Sequence, residues 1–172
     1  MLGFPPKPTS ILPYKEGFNP WDYIAQPKYR GWRVVVHNNR VYTRKGNLLP
    51  IETDYPTPIE YQIDGELINP AQQIEYKVPT AIKDGTWRIE LIDIYVPSDP
   101  NMILLDRLKF MEGKLGLFVM YSGLTQDYEE MFRIMRICQR MGWEGAVIKR
   151  KDSIYKISEY ASVIDHDWFK LK

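Results

Sequence analysis

Two β-branched and aromatic runs face each other across an Asn-Asn pair, and this pattern constrains the fold more than any other feature. The first run spans residues 32–37 and the second spans residues 40–44, with Asn38 and Asn39 between them. Val, Tyr and Trp favour strands, and adjacent asparagines tolerate the positive φ angles of a two-residue hairpin turn. The sequence therefore predicts an antiparallel hairpin.

The remaining apolar patterns predict two helices and four more strands. Apolar residues at spacings of three and four predict helices at residues 102–112 and 125–141. The further strands are predicted at residues 59–68, 87–96, 146–148 and 168–171. The chain of 172 residues is expected to form one α+β domain over residues 1–172, with antiparallel β-sheets flanked by helices.

The N-terminal segment is rich in proline, with six of the 13 prolines in residues 1–27. Proline fixes φ and removes a backbone donor, which disfavours regular secondary structure. The aromatic and aliphatic residues of the same segment need burial, so a free polar tail is excluded. Residues 1–27 are therefore predicted to form an extended arm that lies on the body of the domain.

Cysteine content and hydropathy exclude several classes of protein. The single cysteine, Cys138, excludes an internal disulfide and a zinc site made of several thiolates. The uncharged apolar stretches fall short of the roughly 20 residues that a membrane-spanning helix needs. The N-terminus lacks the basic and apolar regions of a signal peptide. A cytoplasmic protein with no membrane association is therefore expected.

Charge is segregated along the chain although the formal net charge is only +1. Residues 28–45 hold six basic residues and no acid, and residues 51–66 hold five acids and no base. The simplest interpretation is two solvated faces that pair with each other. Gly31 lies within the basic segment, and a glycine beside cations allows close backbone approach to a phosphate. The basic segment is therefore also a candidate phosphate site.

Five short motifs occur in order along the chain. They are Lys28-Tyr29-Arg30-Gly31-Trp32-Arg33, Thr43-Arg44-Lys45-Gly46, Asp64-Gly65-Glu66, Glu144-Gly145-Ala146-Val147-Ile148-Lys149 and Trp168-Phe169-Lys170-Leu171-Lys172. Each motif alone is weak. The ordered set resembles the covalent nucleotidyltransferase superfamily, which contains ATP-dependent DNA ligases, RNA ligases and mRNA capping enzymes. The second and fifth motifs are most similar to those of small viral and bacterial DNA ligases.

This resemblance implies a nucleotidyltransferase (ATP-grasp-like ligase catalytic) domain that seals 5′-phosphate/3′-hydroxyl nicks, as in DNA replication and repair. In such enzymes a lysine takes AMP from ATP, and Lys28 matches that lysine. The implied cofactors are ATP, as covalent AMP on Lys28, and Mg²⁺ or Mn²⁺. The implied partner is nicked duplex DNA, with RNA or hybrid nicks as alternatives. A monomer of bacterial, archaeal or viral origin is expected.

The resemblance also assigns roles to individual residues. The expected catalytic residues are Lys28, Arg33, Lys170 and Lys172. The expected nucleotide contacts are Gln26, Lys28, Arg33, Glu66, Ile92, Val147, Lys170 and Lys172, with Gln26 at the adenine edge and Glu66 at the ribose. The expected nucleic-acid contacts are Arg33, Arg44 and Lys149. The expected metal ligands are Glu144 and Glu66.

Three features depart from the family pattern. Arg30 stands where an aspartate is usual. Ile92 stands where an aromatic residue would stack on the base, with Tyr95 as the candidate to compensate. The chain ends at Lys172 without the OB domain that follows in ligases, which implies a minimal enzyme, a catalytic fragment or a partner in trans. Two alternatives therefore stay open: an RNA ligase, and a module that binds nucleotide or nicked DNA without covalent chemistry.

Overall fold

The computed structural model describes residues 2–9, 19–58, 60–72, 74–124, 128–158 and 163–172. The strands are β1 Lys7–Thr9, β2 Tyr23–Lys28, β3 Trp32–His37, β4 Arg40–Thr43, β5 Leu48–Glu52, β6 Gln62–Ile68, β7 Arg88–Tyr95, β8 Ser122–Gly123, β9 Gly145–Arg150 and β10 Ile164–Leu171. The helices are α1 Val78–Asp84, α2 Leu104–Leu115 and α3 Tyr128–Arg140. Short 3₁₀ turns lie at Pro20–Asp22 and Glu75–Lys77.

The strands form two five-stranded sheets. The first sheet has the order β1-β10-β9-β2-β8, and the second has the order β5-β4-β3-β6-β7. Neighbouring strands are antiparallel, except that β1 and β10 are parallel. The predicted α+β class with antiparallel sheets flanked by helices is therefore confirmed.

The predicted hairpin is present as β3 and β4. Val36 pairs with Val41 in its register, and the turn residues Asn38 and Asn39 have φ angles of 50° and 61°. The other predicted strands correspond to β6, β7, β9 and β10, and the predicted helices correspond to α2 and α3. Residue 59 of one predicted strand and residues 125–127 of one predicted helix lie outside the described residues.

The predicted N-terminal arm is wrong at its C-terminal end. Tyr23–Lys28 is strand β2, which lies between β9 and β8 in the first sheet. Strand β8 pairs only with Ile24 and Ala25, so Pro27 faces no partner on that edge and its missing N–H is not needed. The proline content of this segment therefore did not indicate that residues 23–28 form a strand within the first sheet.

Helix α1 was not predicted because it is only seven residues long and begins beside a proline. Proline is tolerated in the first turn of a helix, where its missing N–H has no intrahelical partner. Gly85, with φ 68°, ends the helix in the left-handed conformation. No helix among the described residues is long and apolar enough to cross a membrane.

Side-chain alternation in the first sheet separates an apolar core from a cavity. In β9, Ala146 and Ile148 are buried in a cluster with Met131 of α3. Val147 and Lys149, which alternate with these two residues along the strand, line the cavity on the other face of the sheet. Strand β10 alternates in the same way, with Phe169 and Leu171 in the cluster and Trp168 and Lys170 at the cavity, since successive side chains of a strand point to opposite faces. The second sheet buries its other face against α2.

Candidate active site

The predicted site residues gather around two adjoining cavities. A cavity of about 570 Å³ is lined by nine of them: Gln26, Lys28, Arg33, Arg44, Glu66, Ile92, Val147, Lys149 and Lys170. A second cavity, of about 540 Å³, is lined by the other two, Glu144 and Lys172, and shares Lys28 and Glu66 with the first. We call the first the nucleoside cavity, after the ligand that the family resemblance implies, and the other the second cavity. Residues spread over nearly the whole chain are thus brought together.

Lys28 ends β2 and lies at the boundary between the two cavities. Its Nζ donates to Oε2 of Glu144, and Nζ of Lys172 donates to Oε1 of the same carboxylate. The backbone N–H of Glu144 donates to the carbonyl of Lys28 over 2.8 Å, so the strand register holds the pair together. Burial favours neutral Glu144, but hydrogen bonds from Lys172 and Lys28 outweigh it and lower its pKa. Glu144 therefore stays ionised between two lysines.

Lys170 adds a third amine beside this group. It lies on β10 opposite Val147 of β9 and lines the nucleoside cavity. Burial, together with the positive charges of Lys28 and Lys172, lowers the pKa of Lys170. A bound anion would favour the protonated, charged form of these neighbouring lysines, because an opposite charge within a few ångströms stabilises an ionised group.

Arg33 is held in place by an acidic residue that the motif analysis did not single out. Its Nε and Nη2 donate to the two oxygens of Asp64, which is buried. The hydroxyl of Tyr155 donates to Oδ2 of Asp64 over 3.0 Å. Burial opposes the charge of Arg33, but Asp64 raises its pKa, so the guanidinium stays charged. The aspartate of the Asp-Gly-Glu motif thus orients an arginine in the cavity wall.

Glu66 pairs with Arg33 in the β3–β6 register and faces both cavities. Burial raises the pKa of its carboxyl to about 7, although the positive charges of Arg33 and Lys28 oppose this.

The close packing of Gly31 against β6 leaves no room for a side chain. A Cβ on Gly31 would lie 2.1 Å from the carbonyl oxygen of Leu67. Gly31 is therefore required by the close approach of its backbone to β6, a reason that the sequence interpretation did not include.

One end of the nucleoside cavity presents an unpaired hydrogen-bond acceptor. Gln26 is 3% exposed, and its Nε2 donates to the carbonyl of Ile92 over 3.0 Å. Its Oε1 has no hydrogen-bond partner among the described residues. Ile92 and Val147 supply apolar surface beside it. Tyr95 does not line this cavity but packs on Tyr155, with ring centroids 5.9 Å apart, so it does not replace the missing aromatic residue.

Lys149 lies in the floor of the nucleoside cavity rather than on an outer surface. Its side chain is 1% exposed, and its Nζ lies 3.6 Å from the centre of the Trp168 ring. Asp93 is 3.9 Å away, but no described group accepts a hydrogen bond from this amine. Lys149 is therefore buried in the cavity wall, and its expected nucleic-acid contact stays a prediction.

A buried ion pair stands behind Lys149. Nε and Nη2 of Arg107 donate to the two oxygens of Asp93 over 2.8 and 2.9 Å. Both side chains are almost inaccessible to solvent, and Nη1 of Arg107 also donates to the carbonyl of Ser153 over 2.9 Å. Burial opposes the charge of Asp93, but Arg107 keeps its pKa low. The pair links α2 to β7 directly behind the cavity.

Replacing Lys149 by methionine is expected to remove a pH-dependent part of the stability. Burial lowers the pKa of this amine from 10.5 to about 7, with Asp93 opposing the shift. The unfolded chain then binds this proton more tightly than the folded protein, so the free energy of unfolding rises with pH between the two values. Urea denaturation at about pH 7 and about pH 9 measures this rise. An equal rise in Lys149→Met and the wild type would contradict the expectation.

Several cavity residues were missed by the sequence reasoning. Lys7 and its neighbouring prolines line the nucleoside cavity because β1 runs beside β10. Lys45 lies at its exposed rim, and Glu75 lines both cavities. Of these residues, only Lys45 was indicated by the sequence, because it belongs to the second motif. The others follow from strand pairing and loop placement, which no local pattern encodes.

Among the described residues, no group of three or more His, Cys, Asp or Glu side chains is arranged to hold a metal ion. The two predicted metal ligands, Glu144 and Glu66, both line the second cavity. Their assignment to a metal stays a prediction.

No protein-family model and no curated protein matches this sequence. Many solved structures are similar to it, among them three DNA ligases. A Lig E DNA ligase superposes with a TM-score of 0.75 at 16% identity, over 100% of this chain and 69% of that one. The Chlorella virus DNA ligase-adenylate superposes with a TM-score of 0.70 at 19% identity, over 98% and 68%. The ATP-dependent DNA ligase of bacteriophage T7, in complex with ATP, superposes with a TM-score of 0.65 at 16% identity, over 98% and 68%.

These similarities extend over almost the whole chain and therefore include both sheets. The expected nucleotidyltransferase architecture is therefore confirmed at the level of the fold. The chain has the α+β nucleotidyltransferase fold of the ATP-dependent DNA ligases.

Proposed function

We propose that this chain is the nucleotidyltransferase part of an ATP-dependent polynucleotide ligase that seals nicks in DNA. The observation that carries the proposal is the position of Lys28. Its amine lies where a cavity with apolar walls and an unpaired amide oxygen meets a cluster of lysines. A nucleotide placed with its base at Gln26 has its phosphates beside that amine.

The cavity residues fit adenosine nucleotide chemistry. The free Oε1 of Gln26 is an acceptor for the 6-amino group of adenine, because its own NH₂ is held by the Ile92 carbonyl. Ile92 and Val147 would cover the base, and Glu66 would bind a ribose hydroxyl. Arg33 and Lys170 would bind phosphate oxygens, for which a guanidinium fork and an ammonium are both suited.

The covalent step uses the Lys28 amine as nucleophile. In its neutral form the amine attacks the α-phosphorus of ATP, forming an N–P bond as the bond from that phosphorus to the pyrophosphate oxygen breaks. The amine gives up a proton to solvent, and pyrophosphate leaves. An oxygen of the 5′-phosphate at a nick then attacks the same phosphorus, the N–P bond breaks, and Lys28 takes a proton back from solvent. Finally the adjacent 3′-hydroxyl attacks the 5′-phosphorus, gives its proton to solvent, and AMP leaves as the strand closes. Arg33, Arg44 and Lys172 would hold the phosphates during these transfers.

Glu144 and Glu66 are the groups that would hold Mg²⁺ or Mn²⁺. Magnesium in such sites takes one or two protein carboxylates together with substrate phosphates, and both carboxylates line the second cavity beside Lys28. A bound ion would neutralise charge on the transferring phosphoryl group. Glu144 would then exchange its two lysine partners for the ion.

Intact-protein mass after incubation with ATP and Mg²⁺ tests this function. We expect a gain of one AMP, followed by sealing of a nicked duplex DNA. Nicked RNA and hybrid duplexes, tested in parallel, distinguish a DNA ligase from an RNA ligase. Saturable nucleotide or DNA binding without any mass gain would contradict the proposal and favour a non-catalytic binding module.

Replacing Gln26 by alanine is expected to weaken the preference for ATP over GTP by about tenfold, since one hydrogen bond to a substrate group changes by roughly 1–2 kcal/mol. The Gln26 oxygen accepts from the 6-amino group of adenine, whereas it would face the acceptor oxygen of guanine. The measurement is the rate of AMP or GMP uptake at limiting nucleotide. An unchanged ratio in Gln26→Ala would show that another group selects the base.

A further inference from the structure

The second cavity contains a cation that no described group neutralises. Arg30 lines this cavity, is exposed, and forms no ion pair with any described residue. The cavity's other two cations, Lys28 and Lys172, share the carboxylate of Glu144. Arg30 is therefore the guanidinium most available to an anion that enters from solvent.

Arg30 differs from the other two cations of this cavity because no described carboxylate pairs with it. Glu144 pairs with both Lys28 and Lys172, and Glu66 lies opposite Arg33 in the β3–β6 register. Glu75 lies at the exposed rim and forms no ion pair with Arg30. An aspartate in place of Arg30 would add a fourth carboxylate to the cavity and would disfavour an anion.

The position of the second cavity relative to Lys28 indicates which anion it receives. Lys28 lines both cavities. If the α-phosphorus of a nucleoside triphosphate meets this amine and the nucleoside fills the first cavity, the remaining phosphates lie beside the second cavity. A planar guanidinium with several N–H donors matches the adjacent oxygens of a diphosphate better than an ammonium does.

We propose that the second cavity binds the two terminal phosphates of the nucleoside triphosphate, and then the departing pyrophosphate, through hydrogen bonds and ionic contacts from Arg30. This inference rests on the proposed function, because it assigns a subsite to the first step of that reaction. In that step the bond between the α-phosphorus and the bridging oxygen breaks, and the pyrophosphate leaves with both electrons of that bond. Arg30 stabilises the negative charge that develops on this leaving group.

The reverse reaction tests the subsite directly. Wild-type, Arg30→Ala and Arg30→Lys proteins are loaded with AMP and then exposed to increasing pyrophosphate at constant Mg²⁺, and loss of the AMP mass is followed. We expect the half-maximal pyrophosphate concentration to rise about tenfold in Arg30→Ala, as for the loss of one charge-assisted hydrogen bond. Arg30→Lys should recover part of this loss. Arg136→Ala is the matched control, since Arg136 is an exposed arginine on α3, which packs on the opposite face of the first sheet.

Sealing of pre-adenylylated nicked DNA separates the two possible sources of the phosphate. This step involves no pyrophosphate, so Arg30→Ala should perform it at the wild-type rate. If Arg30→Ala impairs this step and leaves the pyrophosphate response unchanged, Arg30 binds a nucleic-acid phosphate and the inference is overturned. An unchanged response in both assays overturns it as well. A wild-type protein that takes up no AMP overturns both the proposed function and this inference. AMP uptake by the wild type with an unchanged pyrophosphate response in Arg30→Ala overturns this inference alone.

Discussion

Replacing Lys28 by alanine is expected to abolish the AMP adduct and to reduce ATP-dependent nick sealing by about three orders of magnitude or more. The expectation follows from the geometry around this amine. It lies at the junction of the nucleoside and second cavities, beside Lys170 and Lys172, where the proposed phosphates would be stabilised on several sides. No other amine occupies that junction among the described residues. Intact-protein mass and a gel assay of nicked duplex DNA measure both effects.

Two further variants show whether the loss arises from the nucleophile itself. Lys28→Arg keeps the positive charge beside Glu144, but a guanidinium stays protonated and is not a nucleophile, so it should also take up no AMP. Lys83→Ala removes an exposed lysine on α1 and should behave as the wild type. Pre-adenylylated nicked DNA bypasses the first step, so Lys28→Ala should still seal it. Adduct formation by Lys28→Ala would show that another residue carries AMP.

Replacing Arg107 by alanine is expected to lower the free energy of unfolding by about 3–5 kcal/mol, the usual cost of leaving one member of a buried ion pair alone. Asp93 would lose the partner that keeps its pKa low and would be left, charged or protonated, in a site with no access to solvent. The carbonyls of Met102 and Ser153 would also lose the Nη1 donor that lies 2.6 and 2.9 Å from them. Urea denaturation with an unchanged m-value measures the loss.

An exposed ion pair provides the control for Arg107. Arg88 pairs with Glu90 at the edge of β7, and its side chain is 58% exposed. Arg88→Ala should therefore change the free energy of unfolding by less than about 1 kcal/mol. In the double variant Asp93→Ala/Arg107→Ala the effects should be less than additive, because neither partner is left unpaired. If Arg107→Ala lowers the free energy of unfolding no more than Arg88→Ala does, the buried pair does not stabilise the fold.

Prediction from the sequence succeeded where the signal was local. The hairpin around Asn38 and Asn39 needs only strand-forming residues and a turn that accepts positive φ. The pattern of α3 needs only helical spacing. The order of the five motifs indicated the fold through its resemblance to the nucleotidyltransferase superfamily. The arm over residues 1–27 failed for the same reason, since proline content is a local signal and the pairing of β2 is not.

The sequence alone therefore specified the hairpin, four further strands, helices α2 and α3, the fold class and most of the polar residues near the site. Tertiary structure alone decided how these residues are used. It paired Arg33 with Asp64, buried Lys149 beside Trp168 and placed one lysine on each oxygen of Glu144. It also left Arg30 without an ion-pair partner in the part of the chain that the structure describes. Burial and pairing depend on groups far apart in the chain, and desolvation and Coulomb energies depend on their distances. No local pattern contains those distances, so the charge state and partners of each site residue emerge only in the folded protein.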